Sequence, residues 1–235
     1  MTAINYSKRH FLISAVALTG CAVEQNLVKT QPLLNSSINY SDVRQAKLGQ
    51  QWIYAVRNAY NNEVMDEITE IVTAVTPEII ITRTSAHNGP LPSEIHSNWG
   101  MISQDPYWNP AVKFLDPMPA WPQNKDEETS YASKYQTLTD PYNTYRWSSK
   151  LSKTDLESIA INNMAFDVLK SVNHIYFQSN DYTHSNSYRM SSIWLSPEIG
   201  RWVVKITDGN YLETSAGKGA DRQESYLRYE LKSWK

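Results

Sequence analysis

From Gln51 onward the chain alternates apolar and polar positions with a period close to two. Trp52, Tyr54, Val56 and Tyr60 fall on one side of the first such run, interrupted at Asn58, the pattern of a strand with one face toward a core. Asn61-Asn62, two residues tolerant of positive φ, supply a hairpin turn after it. Glu63 to Val75 reads two ways. Val64, Ile68, Ile71, Val72 and Val75 form a helical stripe, whereas seven of the thirteen residues are Val, Ile or Thr. Stiff β-branched side chains and the preceding turn decide for a strand. Glu78 to Ser85, with Ile79-Ile80-Ile81 at its start, predicts the next strand, Asn88-Gly89 a tight hairpin, and Ser93 to Met101 its return.

Residues 103–124 interrupt this rhythm. Pro106, Pro110, Pro117, Pro119 and Pro122 enclose Tyr107, Trp108, Phe114 and Trp121, and predict a loop that is neither helix nor central strand. Beyond the acidic Asp126-Glu127-Glu128, strands are expected at 131–137, 144–151, 157–161, 166–177, 188–195, 201–207 and 226–234. Ser196-Pro197-Glu198-Ile199-Gly200 and Asp208-Gly209 read as turns between them, and Gly217-Lys218-Gly219 as a mobile tip. Many short strands joined by turns predict a mainly β domain over residues 48–235: an antiparallel open barrel, a curved sheet or a sandwich.

The first fifty residues have a different character. Lys8-Arg9-His10 precedes the apolar run Phe11 to Leu18, which is too short to span a bilayer, and Leu18-Thr19-Gly20-Cys21 follows. This layout resembles the signal and lipobox of bacterial lipoproteins. The resemblance implies a signal peptide over residues 1–20, cleavage before Cys21 and diacylation of the Cys21 thiol. It further implies acylation of the new amino group and, with Ala22 rather than Asp next, retention at the outer membrane facing the periplasm. Two or more acyl chains anchor stably, at about 0.8 kcal/mol per buried CH₂. Residues 21–47, polar and without a consistent apolar face, read as the acylated cysteine and a flexible tether.

Composition narrows the chemistry. Cys21 is the only cysteine, so internal disulfides and cysteine-ligated zinc are excluded from the domain. Without residues 1–20, which carry Lys8 and Arg9 but no acid, the 22 basic and 24 acidic side chains become 20 and 24, a net charge of −4. That balance, with no basic block, offers no electrostatic footprint for nucleic acid. Eight tryptophans and fifteen tyrosines against only eight glycines suit sheet surfaces better than a glycine-loop nucleotide site.

Residues 155–235 carry a second resemblance. Ile193-Trp194-Leu195-Ser196-Pro197-Glu198-Ile199-Gly200-Arg201-Trp202-Val203-Val204-Lys205, closing with Tyr229-Glu230-Leu231, is similar to uncharacterised Gram-negative envelope β-domain proteins. In these an aromatic strand enters a Pro-x-x-Gly turn and leaves through a basic-apolar strand. The preceding turn here reads Asn162-Asn163-Met164-Ala165, where that family has a Pro-Ala-Gly-like turn. The resemblance implies a β fold and carries over no functional residue.

No catalytic constellation emerges. There is no Gly-x-Ser-x-Gly elbow, and Asp181, His184 and Ser185 are crowded into one loop, unlike triad members that converge from distant elements. His87 and His96 could meet across the Asn88-Gly89 hairpin with Glu94, but their spacing matches no metal motif. His174, between Val172 and Tyr176, reads as a hydrogen-bonded, half-buried residue, and Asp66, Glu67 and Glu70 as a solvated strand face. No cofactor and no metal are expected. Trp99, Tyr107, Trp108 and Trp121 are the candidate ligand- or partner-facing residues, set against a lid role over a barrel end.

The expected function is a non-enzymatic scaffold or partner-binding module, held at the membrane by acyl chains, with another envelope protein as its expected partner. A carrier or sensor of an apolar or glycan ligand is the alternative, and an envelope hydrolase a distant third. Cells fed a palmitate analogue should label the wild-type chain and not Cys21→Ala; equal labelling of both would end the lipoprotein reading.

Overall fold

The computed structural model describes residues 29–33, 36–214 and 219–235. Cys21 and the signal segment lie outside the described residues, as do Gly217 and Lys218 of the glycine tip. The described chain is 66% strand and has no α-helix. In order these are β1 (Thr30–Pro32), β2 (Gln51–Asn58), β3 (Val64–Ala74), β4 (Ile79–Ser85), β5 (Gly89–Asn98), β6 (Met101–Asp105), β7 (Val112–Pro119) and β8 (Thr129–Thr137). They continue with β9 (Asp140–Leu151), β10 (Asp155–Ile161), β11 (Met164–Phe177), β12 (His184–Ser196), β13 (Arg201–Glu213), β14 (Ala220–Gln223) and β15 (Leu227–Trp234).

Twelve of these strands form an antiparallel barrel. The order runs β11-β12-β13-β15-β2-β3-β4-β5-β6-β7-β8-β9, and β9 returns to β11 through Leu151↔Asn173 to Trp147↔Phe177. Of the three architectures compatible with the sequence, the barrel is the one formed, and it is closed rather than open. Closure depends on the length of β11. Its first half, Met164 to Lys170, pairs with β10, and its second half, Asn173 to Phe177, takes β9 along the same edge. Closing the cylinder removes the exposed strand edges that an open sheet would leave.

Alternation sorts the side chains. Trp52, Tyr54 and Val56 of β2 face inward beside Ile68, Glu70 and Val72 of β3 and Ile81, Arg83 and Ser85 of β4. Asn62 takes φ 62° in the β2–β3 turn and Gly200 φ 70° in the β12–β13 turn, as the sequence predicts for both places. Glu63 to Val75 resolves as a strand, β3, because its β-branched residues pack on a pleated, half-buried surface.

Four expectations are corrected. Tyr60 leaves the alternating run and is exposed in the turn after β2. Asp208-Gly209 is not a turn but lies inside β13, where the missing Cβ admits a neighbour: a Cβ at Gly209 would stand 2.4 Å from Glu224 Oε2. The stretch 103–124 is not a continuous loop. β7 runs through it, tolerating Pro117 and Pro119 because its pairing with β8 covers only Val112 to Phe114. The described part of the 21–47 tether is in place on the barrel. Tyr40 and Val43 are buried, Arg44 N donates to the Pro197 carbonyl at 3.0 Å, and Thr30–Pro32 pairs with β10.

That docking rests on Gly200, where a Cβ would come within 2.3 Å of the Arg44 carbonyl oxygen at a positive φ. Gly200→Ala should lower stability by at least about 2 kcal/mol, read as a fall in Tm, from backbone strain and the clash together. Gly49→Ala, also at positive φ but in open space, should cost only about 1–2 kcal/mol.

Candidate functional site

The barrel interior combines an apolar floor with a cluster of buried charges. Trp52, Tyr54, Leu195, Ile199, Trp202 and Leu231 belong to the main core. Among them lie Glu70, Arg83, Glu94, His96 and Arg201, each at most 4 % exposed. Arg201 enters from the start of β13 and its guanidinium bridges two carboxylates. Nε and Nη2 donate to Glu70 Oε2 at 2.9 and 2.6 Å, while Nη1 and Nη2 donate to Glu94 Oε1 and Oε2 at 3.0 and 2.6 Å. Arg83 Nε donates to the other Glu70 oxygen at 3.0 Å. Two carboxylates thus face two guanidiniums in the planar geometry that suits Arg.

Strand register explains the convergence. Glu70 lies opposite Arg83 on one side and Trp52 on the other, and Glu94 lies opposite Ile81. Burial alone would raise the Glu94 carboxyl, but the Arg201 charge and the His96 hydrogen bond outweigh it and hold the group well below its ordinary range. Burial would likewise lower the Arg201 pKa; Glu70 and Glu94 reverse that and raise it. His96 Nε2 donates to Glu94 Oε1 at 2.6 Å, while its Nδ1 accepts from Gly100 N–H at 3.3 Å. The two bonds assign the neutral Nε2–H tautomer.

The β6–β7 connection fills much of the remaining space. Tyr107 packs edge-on against Trp202 and Tyr229, and its hydroxyl donates to Glu70. Trp108 packs edge-on against Trp147 and Phe177, with ring centroids 4.7 and 4.9 Å away, and the Arg189 guanidinium lies over its face at 3.5 Å. Trp108 Nε1 donates to Asp105 Oδ2 at 3.0 Å, and Arg189 Nη1 donates to the Tyr107 carbonyl at 3.1 Å. The connection is therefore a plug seated inside the barrel. Beside it lies a cavity of about 60 Å³, whose lining includes Glu94, Asp105, Tyr107, Trp147, Ser149 and Lys205.

The aromatic candidates divide between two places. Trp121 is 5 % exposed and packs on Trp99, whose Nε1 donates to the Arg44 carbonyl at 3.0 Å, at the end of the barrel where the N-terminal segment docks. Tyr107 and Trp108 form the plug, and their accessible surface is partial. Cys21 lies outside the described residues. His87 and His96 are not brought together. His87 sits in the hairpin turn against Asp66 at 3.0 Å, and His96 is at the far end of the same strand pair, opposite Ile79. His184 lies 3.8 Å from Asp181 and stacks near Tyr211, while His174 accepts or donates at 2.8 Å to the Tyr188 hydroxyl, half-buried as expected. Among the described residues no three His, Cys, Asp or Glu side chains form a metal-binding group.

Glu70 requires a correction. It is 1 % exposed rather than solvated, because alternation places it inward between Ile68 and Val72. The signal was present there, as a charge at the buried phase of a strand. The same signal marks Arg83, two residues after Ile81, but not Arg201, which opens a run of four consecutive buried residues, Arg201 to Val204. No protein-family model, no curated protein and no solved structure matches the chain.

Arg201→Met should destabilise by about 3–5 kcal/mol, since two buried carboxylates lose their shared counter-charge. The pH response should also change sign. In the wild type the Glu94 contribution is complete above its ordinary value of 4.5 and is lost as pH falls through the lower folded value. In Arg201→Met burial raises the Glu94 carboxyl instead, so stability should increase as pH falls from about 8 to 5. Urea melts across pH check both.

Proposed function

We propose that the protein is a lipid-anchored envelope module that works through its outer surface as a non-enzymatic scaffold or partner-binding domain. In this reading Cys21 carries the acyl chains, and the barrel stands at the periplasmic face of the outer membrane. The observation that carries the proposal is the filled lumen. Plug, ring cluster and ion pairs leave a cavity of about 60 Å³, whereas small-molecule sites run to roughly 300–1,000 Å³. A barrel that encloses so little is a rigid body for presenting its outside. Tyr142 and Tyr182, 91 % and 95 % exposed, stand at one end of the barrel, where β9 begins and β11 has just ended. Exposed tyrosines of this kind are favoured at protein interfaces.

One observation favours a second reading, a glycan sensor. A surface groove of about 540 Å³ runs along β12, β13 and β14, lined by Tyr188, Tyr211, Asn210, Asp221 and Gln223 among others. Planar polar groups beside aromatic rings suit sugar hydroxyls and faces.

Native mass spectrometry of the protein purified from its own membrane separates the two. The module reading expects polypeptide plus acyl groups and no retained ligand of lipid or oligosaccharide mass. A stoichiometric organic adduct, lost on Tyr211→Ala, would replace it with the carrier or sensor reading.

A further inference from the structure

Polarity is inverted across one side of the barrel wall. β3, β4 and β5 turn their charges inward, as Glu70, Arg83 and Glu94. Alternation leaves the outer face there to uncharged side chains. Ile53 on β2, Ile71 on β3, Ile80 on β4 and Ile95 on β5 are partly exposed, and none packs against either core cluster of the described residues. Ile53 lies opposite Thr69, Ile71 opposite Thr82, and Ile80 opposite Ile95. Toward the end where the N-terminal segment docks, the face continues into Leu48 and Val75, 69 % and 42 % exposed. Gly49 N donates to the Val72 carbonyl at 2.8 Å, which runs the Leu48 segment along the end of β3 that Val75 follows. The opposite wall differs, with Lys113, Lys134, Arg146 and Lys150 exposed on β7, β8 and β9. An apolar patch with a polar border marks a protein or membrane contact.

The place where the chain leaves the barrel decides between the two. Thr30 lies opposite Ile159 on β10. Three residues further on, the β10–β11 turn rests on β15, Asn162 Nδ2 donating to the Leu231 carbonyl at 2.7 Å. Leu231 lies opposite Tyr54, the neighbour of Ile53 on the uncharged face. The chain therefore runs back toward Cys21 from a point beside this face. Nine residues separate Cys21 from Thr30, a reach of at most about 32 Å. The tyrosine end is remote: from Phe166, opposite Ile159, β11 continues for eleven residues to Phe177, about 36 Å.

We propose that the outer face of β2 to β5 rests on the bilayer that holds the acyl chains of Cys21, with Tyr142 and Tyr182 directed away from it. This orientation rests on the lipid-anchored reading above. Area favours lipid over a free protein partner. Four strands about 4.8 Å apart and about 20 Å long present on the order of 400 Å², about half of what each side of a standard protein interface buries. A surface to which the chain is already tethered needs less, because its second contact is intramolecular. The border carries both signs of charge. Arg57 pairs with Glu230 and Lys232 with Glu67 on one side, and Lys47, Glu78 and Lys235 stand on the other. Adhesion is therefore apolar and does not require anionic lipid, and the threonine hydroxyls between the isoleucines can hydrogen-bond headgroup oxygens.

The test uses the full protein purified from membranes and reconstituted in phosphatidylcholine vesicles that contain a headgroup-nitroxide lipid. Mass spectrometry first checks for the acyl groups. With Cys21 acylated, one added cysteine is the only thiol to label. A fluorophore on Thr69→Cys or Thr82→Cys should be quenched. One on Arg146→Cys, across the barrel on β9, or on Tyr182→Cys should keep its full intensity. Adding Ile71→Asp should relieve the quenching at Thr82→Cys and leave Tm near wild type, since the position lies outside the core. A protein without acyl groups would remove the lipid-anchored reading and this orientation with it. An acylated protein quenched equally at all four positions, or only at Arg146→Cys and Tyr182→Cys, would overturn the orientation alone, as would quenching that Ile71→Asp leaves unchanged. A Thr82→Cys label shielded from water yet unquenched would also overturn it and give the face to a protein partner.

Discussion

The Arg201 guanidinium is the interaction on which the barrel interior is organised. It reaches from β13 to carboxylates on β3 and β5, 131 and 107 residues away in the chain, and fixes both with pairs of hydrogen bonds. Taking these ions out of water costs several kcal/mol each, which only near-ideal geometry and full hydrogen bonding offset. Their presence is therefore weak evidence for stability and better evidence for specificity: one arrangement of three strands satisfies both carboxylates. Glu70 alone accepts from Arg201, Arg83 and Tyr107, so it ties two strands and the plug to one group.

From that centre the filling of the lumen follows. The β6–β7 connection can turn inward because Tyr107 finds a carboxylate for its hydroxyl and rings for its edges, while Trp108 finds a guanidinium for its face and Asp105 for its N–H. A buried tyrosine or tryptophan needs such a partner for its polar end. The consequence for function is topological. A closed wall with an occupied interior leaves recognition of anything large to the outside.

Lys205 and the ionic cluster also differ in electrostatic terms. Within the cluster each charge faces its opposite within hydrogen-bonding distance, so burial strengthens the attraction that offsets it. Lys205 has only the faces of Tyr107 and Trp202, at 3.6 and 6.0 Å. Cation–π attraction of this kind contributes about 0.5–2 kcal/mol, less than the cost of burying an ammonium.

The amino-acid sequence alone is enough for the mainly β character, the turns at Asn62 and Gly200, and the burial of Trp52, Tyr54 and Val56, because these depend on local φ preference and a period of two. It determined equally that the domain has no thiol chemistry, since its sole cysteine lies at position 21. Tertiary packing is what closes the sheet, because closure rests on β11 being long enough to take β10 and β9 in succession along one edge. It also decided that Pro106 to Ala111 turns into the lumen instead of covering it, and that Glu70, Arg83, Glu94 and Arg201 meet. Alternation along single strands could place Glu70 and Arg83 on the inward face, whereas Glu94 and His96 take the buried phase in place of Ile95, and Arg201 opens a run of four buried residues. Which charge would oppose which depends on the register of β3, β4, β5 and β13 around a closed wall, and that pairing is a property of the barrel as a whole.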